Sequence, residues 1–248
     1  MKVSIITACY NSSQTILKCI RSVNDQSYVD LEHIFIDGGS SDSTLTLIKN
    51  SNRKNFISSE PDKGIYDALN KGLALSTGDL IIFLHSDDFF VGKDVISDLV
   101  KPFYSDGNLS AVYGNVNFSR RTTCDTDIVR SWKSKPFQRS SLAFGWMPPH
   151  TGMLINKEIF REIGPFSVGF SISGDYDFIL RFLTRYANVH YVDVDVTTML
   201  IGGVSTKLHF GPLYQKFYED VLALKRNKFS YPALTAIAKR IRKLNQHL

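Results

Sequence analysis

The chain has 248 residues, 43% of them apolar and 21% charged, enough to bury the core of one large α/β domain or of one domain with a small appendage. Its formal charge of +5 belongs to one end: seven Lys and Arg lie between 225 and 248 with no acid among them. Without them the chain stands at −2, which argues against a domain-wide nucleic-acid surface. No apolar run approaches the roughly 20 residues needed to cross a bilayer, and Val3 to Ala8 opens like a strand with no signal-peptide pattern, so the expectation is a cytosolic protein.

In chain order, 3–8 reads as a strand and 14–24 as a helix. Residues 33–36 and 56–59 read as short strands, with a helix over 43–49 between them and another over 66–75 after them. Leu80 to Leu84 is a continuous apolar run, as in a strand covered on both faces. This alternation predicts a mostly parallel sheet with crossover helices, whose ligands bind beyond the carboxyl ends of the strands. Polar residues stand at those ends: Tyr10 and Asn11, then Asp37, Gly38 and Gly39, then Glu60 and Asp62, then His85, Asp87 and Asp88. From 110 the pattern changes. Residues 111–118 and 123–132 alternate like a hairpin or a mixed-sheet extension. A short strand at 153–155 precedes a helix capped by Asn156 and stopped by Gly164, and a helix over 176–186 and a strand over 191–200 follow. Cys9, Cys19 and Cys124 lack metal-ligand spacing and read as reduced, mostly structural thiols.

Five segments carry chemistry. Phe83-Leu84-His85-Ser86-Asp87-Asp88 ends a buried strand in paired carboxylates, an arrangement that is costly unless a cation such as Mg²⁺ or Mn²⁺ neutralises it; a capped loop with a solvated Asp88 is the plainer alternative. Asp37-Gly38-Gly39-Ser40-Ser41-Asp42 allows a ligand close to the backbone, or is only a well-capped turn. In the helix after Glu60-Pro61-Asp62-Lys63-Gly64, Asp67 and Asn70 lie one turn apart and suit a ribose or a phosphate, while Lys71 suits a solvated surface. Ser173-Gly174-Asp175-Tyr176-Asp177 opens a helix, and an acid there is either an N-cap or a carboxylate kept ionised to accept a hydroxyl proton. Trp146-Met147-Pro148-Pro149-His150 fixes a loop before a strand, where His150 is structural or catalytic.

Taken together and in this order, the segments resemble the family-two inverting glycosyltransferases over about residues 1–206. Glu60-Pro61-Asp62-Lys63-Gly64-Ile65-Tyr66-Asp67-Ala68, Trp146 to His150 and Gly202-Gly203-Val204-Ser205 look like the branch that builds O-antigen, capsule or exopolysaccharide. The resemblance implies the GT-A fold, a Rossmann-like, mostly parallel α/β sheet with helices on both faces. It implies a nucleotide-sugar half at about 1–108 and an acceptor half at about 109–206, followed by a basic helical extension at 207–248. Ala8, Tyr10, Asp37, Asp62, Asp67, Asn70, Ser86 and Asp87 would line the UDP-sugar site, with Tyr10 against the uracil ring. Asp87 and Asp88 would hold Mn²⁺ or Mg²⁺, and Asp175 would be the base of a single inverting displacement. Trp146, His150 and Lys207 would meet the acceptor or the diphosphate. Two positions depart from the pattern: His85 stands where the first acid of Asp-x-Asp is usual, and Asp37-Gly38 where two acids are usual.

The resemblance implies a polyprenyl-diphosphate-linked sugar as acceptor. Leu234, Ile237, Ala238, Ile241 and Leu244 or Asn245 make one helical face flanked by Lys239, Arg240, Arg242 and Lys243, a pattern that suits an anionic membrane surface or, alternatively, a helix packed on the domain with its charges in water. The expected location is therefore the inner face of the cytoplasmic membrane, peripherally bound, with no nucleic-acid partner and self-association left open. Two other functions fit less well. A nucleotidyltransferase would need a Gly- and Arg/Lys-rich phosphate loop where Cys9-Tyr10-Asn11-Ser12-Ser13 stands. A catalytically inactive sugar-nucleotide-binding protein would have His85 as its lesion.

Overall fold

The computed structural model describes residues 1–51, 55–120, 127–201 and 210–244. Cys124, Lys207 and the 202–205 segment lie outside them.

The first half is the expected parallel unit. Strands β1 (Val3–Cys9), β2 (Leu31–Asp37), β3 (Asn55–Ser59) and β4 (Leu80–Phe83) are joined by helices α1 (Ile16–Asn24), α2 (Thr44–Lys49) and α3 (Ile65–Leu75). All three strand pairings are parallel, in the order β3-β2-β1-β4. The second half adds β5 (Asp88–Phe90), α4 (Val95–Ser105), β6 (Ala111–Ser119), β7 (Ile128–Trp132), β8 (Met153–Asn156), α5 (Lys157–Ile163), α6 (Gly174–Arg185) and β9 (Val189–Leu200). Here the pairing is mixed: β8 is antiparallel to β4 and β6, β7 to β6 and β5 to β9, while β6 and β9 run parallel.

The alternation of the strands assigns their side chains to two large cores, beside a small third one of Cys9, Ile16, Ile20, Phe35 and Ile48. Val3, Ile5, Leu80, Ile82, Val112 and Leu154 face α1 and α4, while Ile6, Ile81, Phe83, Tyr113 and Ile155 face α3, α5 and α6. With both faces covered, β4 needs an apolar residue at every position, which is why its run is continuous. In α5 the Asn156 side chain accepts the Glu158 N–H at 3.0 Å, and Gly164 ends the helix at φ +82°.

Two antiparallel helices, α7 (Phe210–Arg226) and α8 (Pro232–Leu244), close the chain. Ala223, Leu224 and Ala236 are buried in the same core as α6, so the hairpin is built onto the sheet's larger core. The sequence pattern places Lys239 among the charges flanking an apolar stripe, and the structure corrects this. Lys239 is buried against Asp220 at 2.7 Å, with its ammonium 3.3 Å from the centre of the Tyr176 ring. A lysine reaches such a position only when a carboxylate goes with it. Leu234, Ile237 and Ile241 instead face solvent. Among the described residues no helix is long and apolar enough to cross a membrane.

Candidate active site

The exits of β1, β2 and β3 form a cradle tied by its own hydrogen bonds. Asp37 is fully buried, and its carboxylate accepts the Gly39 and Ser40 amides at 3.2 and 3.0 Å and the Ser40 and Ser59 hydroxyls at 2.5 and 2.7 Å. The expected base-contacting acid is thus the knot of the 38–40 turn. Asp42 accepts the Ser13 and Thr44 amides and the Thr44 hydroxyl, and these bonds hold it far below the usual carboxylate range. Beside this knot Gly38 permits a close approach: a Cβ there would lie 2.6 Å from Asp62 Oδ2 and 3.4 Å from the Tyr10 ring. Tyr10 and Asp62 therefore converge over bare backbone. The Tyr10 ring, 64% exposed, presents a free aromatic face at the end of β1, beside half-buried Ala8.

The α3 pair divides. Asp67 accepts the Lys63 amide at 3.0 Å and faces Lys71 at 3.6 Å, and the first of these contacts chiefly lowers its pKa. Asn70 uses both ends of its amide on Phe166, donating to its carbonyl and accepting its N–H, each at 2.9 Å. It braces the loop before α6, and Asp67 alone of the two is turned toward the 60–64 loop.

The β4 exit is built differently. Asp88 starts β5 and is buried, and its Oδ2 has no partner among the described residues. Burial, and then the like charge of Asp87, push its pKa well up. Asp87 is half-buried, and the Ser86 hydroxyl meets that of Ser12 at 2.9 Å. Hard carboxylate oxygens beside each other, one of them orphaned, fit a divalent cation such as Mg²⁺ or Mn²⁺. Among the described residues no group of three or more His, Cys, Asp or Glu forms a complete cage, so the other ligands would be donor phosphate oxygens and water. His85, in place of an acid, turns inward: its ring lies 5.8 Å from that of His150, which stacks on Phe83 at 5.2 Å. Burial lowers both imidazoles, His150 to about 4, and one nitrogen of each is without a hydrogen-bond partner.

Asp175 stands in the first turn of α6, half-buried, and interacts electrostatically with both histidines. Burial would raise its pKa, but His150, Lys239, Lys216 and the Tyr176 amide outweigh burial and set it below the usual carboxylate value. Gly174 is required here: a Cβ would fall 2.7 Å from the Tyr66 ring. That ring reaches from α3 to α6, its hydroxyl donating to the Ile172 carbonyl at 2.7 Å and lying 3.5 Å from Asp175 Oδ1. Trp146 stacks on Phe137 and meets Tyr113 edge-on, so much of its ring is committed to packing. The structure thus brings His85 and His150 together beside Phe83, with Asp87 and Asp88 adjoining and the charge of Asp175 acting on both rings. Tyr10, Asp37 and Asp62 form a separate cradle at the neighbouring strand exits. The roles of Tyr66, Glu219 and Lys239 escape a reading of the sequence. The one available signal is that Glu219 and Asp220 are the last acids of the chain, inside an otherwise basic segment.

A parallel β1–β4 half joined to a mixed half, with an acidic strand exit at their junction, is the GT-A type of fold. The family model for glycosyl transferase family 2 matches residues 4–164, and the chain belongs to that family. An uncharacterized glycosyltransferase of Mycobacterium tuberculosis is 36% identical over 182 residues, covering 72% of this chain and 68% of that protein. A PGL/p-HBAD biosynthesis glycosyltransferase of Mycobacterium bovis is 28% identical, covering 75% of this chain and 73% of its own. Among solved structures, S. aureus TarS 1-349 in complex with UDP-GlcNAc superposes with a TM-score of 0.67 at 16% identity, over all of this chain and 72% of that one. A mannosyltransferase of Pyrobaculum calidifontis in complex with GDP-Man and Mn²⁺ gives 0.64 at 15% identity, over 98% and 75%.

Proposed function

We propose that the chain transfers a hexose or N-acetylhexosamine, with inversion, from a UDP-sugar to a lipid-diphosphate-linked sugar in the assembly of a bacterial surface polysaccharide. One observation carries the reading: Asp175, 90 residues beyond His85 in sequence, lies 3.5 Å from the Tyr66 hydroxyl, and the Tyr66 ring meets Phe166, which packs on His150 and Phe83 at the β4 exit at 5.6 and 5.1 Å. UDP as the nucleotide is supported by the UDP-GlcNAc complex of the TarS neighbour and by the exposed Tyr10 ring above Gly38. In this mechanism the ionised Asp175 takes the proton of the acceptor hydroxyl. The oxygen attacks the anomeric carbon opposite the nucleotide diphosphate, which departs with the bonding pair. Tyr66 keeps the carboxylate aimed, and the neutral His85 and His150 exclude water around it. Asp87 and Asp88 would hold Mn²⁺ or Mg²⁺, which would supply Lewis-acid stabilisation of the charge on the leaving diphosphate.

The test is a donor screen reading nucleotide diphosphate release with a lipid-diphosphate sugar acceptor, on wild type and Asp175→Asn. The variant should lose about 10²–10⁴ in turnover with donor affinity by calorimetry unchanged. An equal loss in both would make Asp175 a binding residue.

Membrane attachment belongs to the same reading. Leu234, Ile237 and Ile241 form an exposed apolar ridge on α8, flanked along the helix by Arg240 and Arg242. An apolar ridge edged by cations fits an anionic bilayer surface. Ile237→Glu should reduce co-sedimentation with anionic vesicles several-fold, while added salt weakens the wild type; equal sedimentation of both proteins would remove the ridge as the anchor.

A further inference from the structure

We infer that the α7–α8 hairpin is part of the catalytic machinery, with Glu219 as a positioning residue for Asp175. The inference rests on the reading of Asp175 as the base. Glu219 is 5% exposed and accepts three consecutive amides, those of Ser171, Ile172 and Ser173, at 3.1, 2.8 and 2.8 Å. These are the three residues that lead into α6. No side chain of that segment caps the helix: Ser173 stands at the N-cap position with its hydroxyl unpartnered. A carboxylate from another helix thus holds the approach to α6 and the amide of its N-cap residue, and its charge sits at the positive end of the α6 dipole.

The turn is gripped at both polarities. Glu219 holds its N–H groups, and the Tyr66 hydroxyl holds its Ile172 carbonyl at 2.7 Å. Gln215, one turn earlier on α7, donates to Glu219 Oε1 at 3.1 Å and orients the carboxylate. On the far side Lys239 bonds Asp220 at 2.7 Å and rests on the ring of Tyr176, the residue after Asp175. Residues before and after Asp175 are therefore fixed from one hairpin, whose own side chains need not touch a substrate. A reacting group displaced by about 1 Å costs on the order of 10²-fold in rate, so these contacts act on turnover through the position of Asp175.

The experiment compares wild type, Glu219→Gln, Asp175→Asn and the double variant, full-length, with UDP-sugar donor and lipid-diphosphate acceptor. Glu219→Gln keeps the shape but turns an N–H donor toward backbone amides. Its kcat should fall about 10–100-fold, with donor KM, calorimetric donor affinity and binding stoichiometry unchanged. In the Asp175→Asn background the same change should have no further effect on kcat. Wild-type kcat in a folded Glu219→Gln protein overturns the inference, as does an additive loss in the double variant. Full activity of Asp175→Asn sinks the base reading instead, so the two failures are distinct. If Glu219→Gln does not fold, Gln215→Ala takes its place, removing only the orienting bond. It should lower kcat several-fold at constant donor KM, and unchanged kcat there overturns the inference equally.

Discussion

Two strand exits on either side of β1 treat their carboxylates in opposite ways. At the β2 exit Asp37 accepts four hydrogen bonds from its own turn and from β3. At the β4 exit Asp88 keeps a buried oxygen with no partner among the described residues, and His85 and His150 each keep an unpartnered nitrogen. A saturated carboxylate rigidifies a cradle and has little left to offer a ligand. An unsaturated cluster in a buried place costs stability, and that cost is justified when something else completes it. The comparison teaches that acids at successive strand ends are not equivalent ligands, although they look alike in sequence.

The largest expected effect breaks the β4 side. Asp87→Ala should abolish divalent-cation-dependent transfer while the fold survives, because Asp87 contributes charge to the cluster and no part of the core. Full activity of that variant in the presence of a chelator would end the metal assignment. Next, Asp37→Ala should cost about 4 kcal/mol of stability, since it removes a fully buried carboxylate that is the shared acceptor of two amides and two hydroxyls. Urea unfolding measures it, and a loss under about 1 kcal/mol would show that the knot is not structural. The smallest effect is a pH dependence. Burial holds His150 at about 4 against an ordinary 6.5, so the folded protein favours the neutral ring. That contribution is about 3 kcal/mol, since each tenfold change in proton affinity is worth about 1.4 kcal/mol. It is fully present above pH 6.5 and is lost as the pH falls to about 4, because the unfolded chain takes up the proton first. His150→Gln should flatten stability against pH in that window, and an unaltered profile would refute the buried neutral ring.

Much of the fold was legible locally. The unbroken Leu80 to Leu84 run announced a two-sided strand, and Asn156 and Gly164 bound their helix as read. The short β5 was not legible, because Asp88 to Phe90 become a strand only by pairing with Thr197 to Met199. Nor was the inner face of α8, where Thr235, Ala236 and Lys239 are buried and the more apolar Leu234, Ile237 and Ile241 are not. Periodicity marks the greasier face, but the core selected small residues and one lysine whose carboxylate lies 19 positions earlier. For the site, the residue types at the strand exits were readable. Which of them had already spent their oxygens on the backbone depends on turn geometry that no spacing reveals.

The pairing of β5 with β9 has a consequence for the order in which the molecule can be assembled. Asp88 follows β4 by five residues, yet the strand that pins it lies more than 100 residues on. A chain emerging from the ribosome can form the parallel β1–β4 unit early, but its acidic exit stays unanchored until residue 199 is free to dock. The β1–β4 unit therefore matures last at its β4 exit, and a nascent chain does not hold a finished Asp87–Asp88 corner before β9 has emerged.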